Sequence, residues 1–421
     1  MSRLLLLLVL VFAVAGCAPA EEEAPLPTLA GEVPTLTPEP STPTATATRS
    51  LQAVLPPTFT PTPTATDTPT PTPSDTPTGA PAGARPDGTI YYIYNGDAII
   101  AQSGDGSASD LIMTFGVGVR ISDLRANADG TLLTFVGKGN GSAREVYVMN
   151  RDGTYLQQVS CLGMEDVRAP KWTPDGLSLT WYAAPDAQKG GNLYIARFAG
   201  SNACPAGNDQ RILLPFNTLT FGDYALNSAQ DTLFYSVGGD LMAYDIGTGL
   251  AVPAVNVRTY PAQRTLFLHP SDGSLLFSRL ATATQQGDIN PQTFFLTDTR
   301  AEADRAEPDV ARPYLPTGLP AGVFSVAFSS DGVFLAGATR DTIFLRDSRN
   351  GSIQPLVTNL RAPALLAFSP DGTRLAYTAP DRNGVSQLQA VTLRTTQSRT
   401  LTRLTEGSIA DPVWLAGGLG G

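Results

Sequence analysis

One short unit returns along this chain and constrains its fold more than anything else. A tight turn feeds a run of branched and aromatic residues, most clearly from Ser369 to Ala379 (SPDGTRLAYTA). Proline presets φ at the first turn position, aspartate bonds back to the main chain, and glycine takes the positive φ that other residues resist. Copies read PDGTIYYIY from Pro86, ADGTLLTFV from Ala128, TPDGLSLTWYA from Thr173, PSDGSLLFS from Pro270 and SSDGVFLAG from Ser329. A degenerate copy, AQDTLFYSV, begins at Ala229. The turn glycines, with Asp231 standing in for one, fall at intervals of 42, 46, 55, 42, 59 and 40 residues. A period in the forties with several short strands per repeat marks a β-propeller.

Each repeat parses into four strands. In the last full copy these are Pro363 to Ser369, Thr373 to Thr378, Val385 to Leu393 and Ser398 to Leu404. The first copy begins at its turn and lacks a first strand, whereas Asp411-Pro-Val-Trp414 mirrors Ala169-Pro-Lys-Trp172 near the other end. That pattern predicts an all-β, seven-bladed propeller whose ring is closed by the C-terminal strand, which removes exposed sheet edges. Six blades is the alternative if the copy around Asp231 is not a blade. Trp172, Trp181 and Trp414 fall on first and second strands and are expected in the core.

The motif Pro170-Lys-Trp-Thr-Pro-Asp-Gly176 resembles the turn motif of TolB-like and WD-type propeller repeats, from about Pro86 onward. The resemblance implies a binding or scaffold role for an envelope protein.

Before the repeats, Leu4 to Val14 is an apolar run behind Arg3, too short to span a bilayer comfortably. It ends in Val14-Ala15-Gly16-Cys17, which resembles the bacterial lipobox, in which the cysteine carries the lipid. A plain secretory signal or an uncleaved anchor are the alternatives. Residues 1–16 are thus read as a lipoprotein signal peptide with lipid attachment at Cys17. Residues 17–85, dense in Pro and Thr, are read as a disordered stalk, and 86–421 as the propeller. Such a stalk cannot bury enough apolar surface to offset its ordering entropy. The expected location is extracytoplasmic, lipid-anchored to the bacterial cell membrane.

The formal charge is −10, and only three lysines occur (Lys138, Lys171, Lys189). That balance argues against nucleic acid or anionic lipid as partners. A monomer is expected. Of three cysteines, Cys17 is the lipid site, and Cys161 and Cys204 are expected to pair in an oxidising compartment. Pairing requires the loop from Ala199 to Asp209 to fold along its blade edge; otherwise both are free buried thiols.

Chemistry-bearing motifs are sparse. The single histidine, His269, occupies the turn slot that holds Ser369 in another repeat, and is expected to close that turn. There is no G-x-S-x-G elbow, Walker A motif or EF-hand loop, and no sialidase Asp-box. The turn aspartates (Asp87, Asp129, Asp175, Asp272, Asp331, Asp371) are accounted for, leaving Asp123, Glu145, Glu165, Asp166 and Asp223 as unassigned carboxylates. No catalytic, cofactor or metal residues are assigned, no cofactor is expected, and the chain is expected not to be an enzyme. The acidic stretch from Asp298 to Asp309 is expected to be a surface excursion. The function expected is a protein-binding scaffold of the cell envelope, with an envelope or extracellular protein as partner; the alternative is a carbohydrate-active or small-ligand-binding propeller.

Overall fold

A computed structural model describes residues 87–417 of the chain, except 117, 139–141, 199–209, 216–220, 257–265, 281–290 and 309. The segments expected to be signal peptide and stalk, with Cys17, and also Cys204, lie outside the described residues. Among the described residues no helix is long and apolar enough to cross a membrane.

The described strands form seven antiparallel four-stranded sheets. Six are contiguous in sequence. The seventh is composite: Ile409–Leu415 pairs with Thr89–Tyr94, which continues through Ala98–Ser103 to Ser109–Thr114. We number this blade one and the others in chain order. The first strands are then Ile409–Leu415, Ser122–Ala126, Asp166–Trp172, Phe221–Leu226, Phe267–Leu268, Ser325–Phe328 and Ala364–Phe368. Ile409–Leu415 lies against both Ser122–Ala126 and Ala364–Phe368, so the end of the chain joins blade seven to blade two. The degenerate copy is a full blade, Phe221–Leu226, Thr232–Val237, Asp240–Asp245 and Ala251–Pro253. The place of the turn glycine there is taken not by Asp231 but by Gln230, which has the positive φ (61°), while the Asn227 side chain accepts the amides of Asp231 and Thr232.

The second strands explain the long apolar runs. Side chains alternate across a strand, and here both faces meet a neighbouring blade. Ile90 and Tyr92 enter one cluster with Leu388 and Trp414, while Tyr91 and Ile93 enter another with Leu133 and Phe135. Among the described residues there are seven such clusters, one at each blade junction.

The first strands carry a device that the repeat pattern did not announce. In blades one, two, three and seven the pairing register slips, and one non-glycine residue sits at positive φ: Asp411 (51°), Asp123 (60°), Ala169 (53°) and Leu365 (52°). These are bulges that bend the innermost strand and redirect its main chain.

One expectation is refined. The segment after Asp298 does run over the surface, with Arg300, Ala303, Asp304, Ala306, Glu307 and Pro308 exposed, but it is anchored inward at Ala301 and Glu302 rather than being a free excursion. Arg312 and Glu302 are both buried and ion-paired, and Arg305 joins Glu302 at 2.9 Å. Asn227 donates to the carbonyl of Thr299 (2.8 Å), Asp245 accepts the amide of Ala303 (3.2 Å), and Arg312 lies over the Phe234 ring. Two of its acids, Asp298 and Glu302, pair with Arg305 and Arg312 on the inner side, clamping blade five to blade four, while Asp304 and Glu307 stay exposed.

Candidate functional site

The Asp-Gly turns all lie on one face, because strands alternate in direction within each blade. At the mouth of the central channel on that face is a cavity of about 460 Å³ between blades two to five. Its walls are largely apolar: Trp172, Pro174, Leu226, Leu266, Phe267 and Leu268. Ligand sites of this size combine apolar walls with a few fixed polar groups.

The polar groups are Lys171, Asp223, Arg125 and Tyr224. Lys171 follows the blade-three bulge and reaches across to blade four, where its Nζ donates to Asp223 Oδ1 at 2.7 Å and to the carbonyl of Tyr224. It also approaches the carbonyl of Leu266 in blade five (3.4 Å) and lies 4.9 Å from the Tyr224 ring centre. Asp223 is almost fully buried, yet its carboxylate is satisfied: it accepts the amides of Tyr224 (2.8 Å) and Leu266 (3.1 Å) as well as Lys171. Three donors offset the cost of burying this carboxylate, and they come from three blades, which it fixes together. Tyr224 donates its hydroxyl to the carbonyl of Ala169 (2.7 Å), and burial holds its phenol well above the ordinary range, so it remains a donor.

Of the carboxylates singled out in the sequence, only Asp223 lines this cavity. Asp123 sits at the blade-two bulge, where its amide donates to Asp411 Oδ2 at 2.6 Å, tying blade two to blade one. Glu145 is buried and accepts the Ser160 hydroxyl and the amide of Gly163 (2.8 Å). Gln387 does the same for Thr402 and Leu404 in blade seven, so Glu145 is a repeat-position staple. Glu165 accepts from Ser142 (2.6 Å) and Asp166 faces Arg168 (3.6 Å). These four are not brought together as a site. Among the described residues no group of three or more His, Cys, Asp or Glu could hold a metal ion.

Two further sequence expectations are refined. Trp181 and Trp414 are buried, but Trp172 is half-buried and faces the channel-mouth cavity. His269 does close its turn, with Nδ1 3.4 Å from the amides of Ser271 and Asp272. It is also the wall shared by two cavities, the second being the cleft between blades five and six. Cys161 stands in a disulfide, and its amide donates to Gln210, just after the segment that carries Cys204. Lys171 was visible in the sequence only as one of three lysines; its place beside the Pro170–Trp172 motif was the available signal.

No protein-family model matches this sequence, and no curated protein does. Solved structures do. A functionally unknown protein from Desulfotomaculum acetoxidans DSM 771 matches with a TM-score of 0.52 at 10% identity, over 77% of this chain and 99% of that one. The dihydro-heme d1 dehydrogenase NirN, solved in complex with DHE, matches with a TM-score of 0.50 at 13% identity, over 81% of this chain and 78% of that one. TolB from Acinetobacter baumannii matches with a TM-score of 0.42 at 13% identity, over 77% and 81%. The expectation that the chain is not an enzyme is corrected here. A dehydrogenase shares the fold, so the propeller by itself leaves enzymatic status open. What the likenesses establish is the architecture: this chain is a β-propeller similar to these structures.

Proposed function

We propose that this chain is a recognition module of the bacterial cell envelope, anchored by lipid at Cys17 and held off the membrane by its Pro/Thr stalk. Its propeller binds a protein partner, and the channel-mouth cavity receives a short apolar segment of that partner. The observation that carries this reading is the pairing of apolar walls with pre-set polar groups. Lys171 and Asp223 are locked to each other and to blades four and five, so an entering apolar segment meets a polar floor that is already fixed beneath apolar walls. Pre-organised groups of this kind cost little ordering entropy on binding.

The test is site-specific photocrosslinking of the lipidated protein in its own membrane. A photoreactive residue at Ala128 or Ser228, both exposed on the cavity rim, is expected to give a discrete adduct. The same residue at Asn359, exposed on the opposite face, should not. Equal adducts from both faces, or none from the rim, would refute the assignment. Substituting Cys17 by alanine should release the protein from the membrane fraction; retention would count against the lipid anchor.

A further inference from the structure

A second cavity, about 610 Å³, opens on the turn face between blades five and six. It is built differently from the channel mouth. Four hydroxyls (Ser271, Ser274, Thr297, Ser348) line it together with two carboxylates, two guanidiniums, Phe295 and Leu315. We infer that this cleft binds a neutral sugar.

Arg346 is the centre of the argument. It projects from Ile343–Asp347 of blade six over the Phe295 ring of blade five, 5.3 Å from its centroid. Its Nη1 donates to Ser348 Oγ at 2.9 Å, while Nε and Nη2 make no hydrogen bond among the described residues. At the junction of blades seven and one, Arg374 uses its guanidinium differently: it bonds the carbonyl of Gly104 and both the carbonyl and carboxylate of Asp87. Arg346 therefore spans a junction with donors to spare.

The carboxylates complement it. Asp272 Oδ1 accepts the amide of Ser274 (2.8 Å), and Asp331 Oδ1 accepts the Ser329 hydroxyl (2.6 Å) and the amide of Val333 (3.0 Å). Each turn thus fixes one oxygen, and each Oδ2 has no hydrogen-bond partner among the described residues. Arg349 is held by Asp347, with Nη2 to Oδ2 at 2.6 Å. With Asp347 counted, two guanidiniums face three carboxylates, so the cleft offers no net positive charge to hold a phosphate or sulfate.

A sugar fits this set. Each of its hydroxyls both donates and accepts, so adjacent hydroxyls accept from the Arg346 fork and donate to the free oxygens of Asp272 and Asp331. Leu315, 59% exposed at the lip, and the Phe295 edge supply apolar contact for the ring C–H groups. The floor is fixed: the His269 ring packs against Phe328 at 4.9 Å, and Gly332 leaves no room for a methyl group against that ring. The cavity volume suits a mono- or disaccharide.

Saturation-transfer NMR on the full chain, with millimolar methyl glucoside, mannoside and galactoside, tests the inference; glucuronate and inorganic phosphate serve as charged controls. Transfer to at least one neutral hexoside is expected. Arg346→Gln should weaken it about tenfold, the scale of one charge-assisted hydrogen bond. Asp272→Asn, at a position 63% exposed in its side chain and safe for folding, should weaken it several-fold. Ala128→Glu, on the exposed rim of the channel-mouth cavity, should leave it unchanged, which keeps this inference separable from the protein-partner reading. No transfer to any hexoside, unchanged binding in Arg346→Gln, or preferential binding of a charged control would overturn it.

Discussion

Trp414 donates its indole Nε1–H to the main-chain carbonyl of Asp87 at 2.8 Å, joining the last strand to the first turn. Arg374 of blade seven lies over the same indole, 5.0 Å from its centroid, and its guanidinium bonds the same Asp87 carbonyl at 3.2 Å. Blade seven and both ends of blade one's chain therefore meet at one residue pair. Ile409, Trp414 and Leu415 are all buried by this closure. Their burial contributes on the order of 5 kcal/mol, comparable with the whole net stability of a domain.

Deleting residues 408–421 should therefore abolish a cooperative thermal transition, because blade one loses its inner strand and two junctions open. Trp414→Ala should cost about 3–5 kcal/mol in urea unfolding. Trp414→Phe should cost less, since Arg374 continues to satisfy the Asp87 carbonyl. An unchanged midpoint in the deletion would sink the account of closure.

The buried Arg312–Glu302 pair gives a sharper contrast. Glu302→Ala leaves a buried guanidinium without its carboxylate and should cost about 3–5 kcal/mol. Replacing Glu302 and Arg312 with apolar residues of similar volume should recover part of that loss, because the buried Arg312 charge is gone, although Arg305 then keeps only Asp298 as its acidic partner among the described residues. A double variant no more stable than Glu302→Ala would contradict this account.

Peptide mapping under non-reducing conditions should recover Cys161 linked to Cys204. Reduction should lower stability by about 4 kcal/mol if the loop-entropy model holds for a loop of this length. A free Cys204 in the mapped protein would exclude the pairing.

The turn aspartates set an acid limit. Asp129, Asp152, Asp175 and Asp331 are each held below the ordinary carboxylate range, chiefly by the hydroxyls of Thr131, Thr154, Thr173 and Ser329 and then by turn amides. A carboxyl whose folded pKa is depressed stabilises the fold above its unfolded value and loses that contribution as protons are taken up. The melting temperature should hold near neutrality and fall as pH drops below about 4. Replacing Asp129 and Asp175 together by asparagine should flatten that fall; an equally steep fall would place the acid sensitivity elsewhere.

Much of the fold was legible from one repeat. The Asp-Gly turns set where hairpins form, and runs such as Ile90-Tyr-Tyr-Ile93 or Leu375-Ala-Tyr377 are apolar at successive positions because both faces are buried. Less of the sites was legible. Glu145 looked like an unassigned carboxylate until Gln387 was seen at the matching place, doing the same bonding. Asp223 was singled out as an unassigned carboxylate, but its partner Lys171 lies 52 residues earlier and on another blade. The acidic stretch after Asp298 is largely exposed, as its charge suggested, but charge alone did not say that Arg312 would fold over Glu302 and anchor it.

By itself the sequence determined the architecture, since turn chemistry and strand periodicity are local and repeat in every blade. Only the tertiary structure decided which side chains meet across blades: the bulges that bend the inner strands, the Lys171–Asp223 pair, the buried Arg312–Glu302 clamp and the two cavities that share His269. Those contacts join residues far apart in the chain. Their geometry follows from how neighbouring blades pack, which no single repeat encodes.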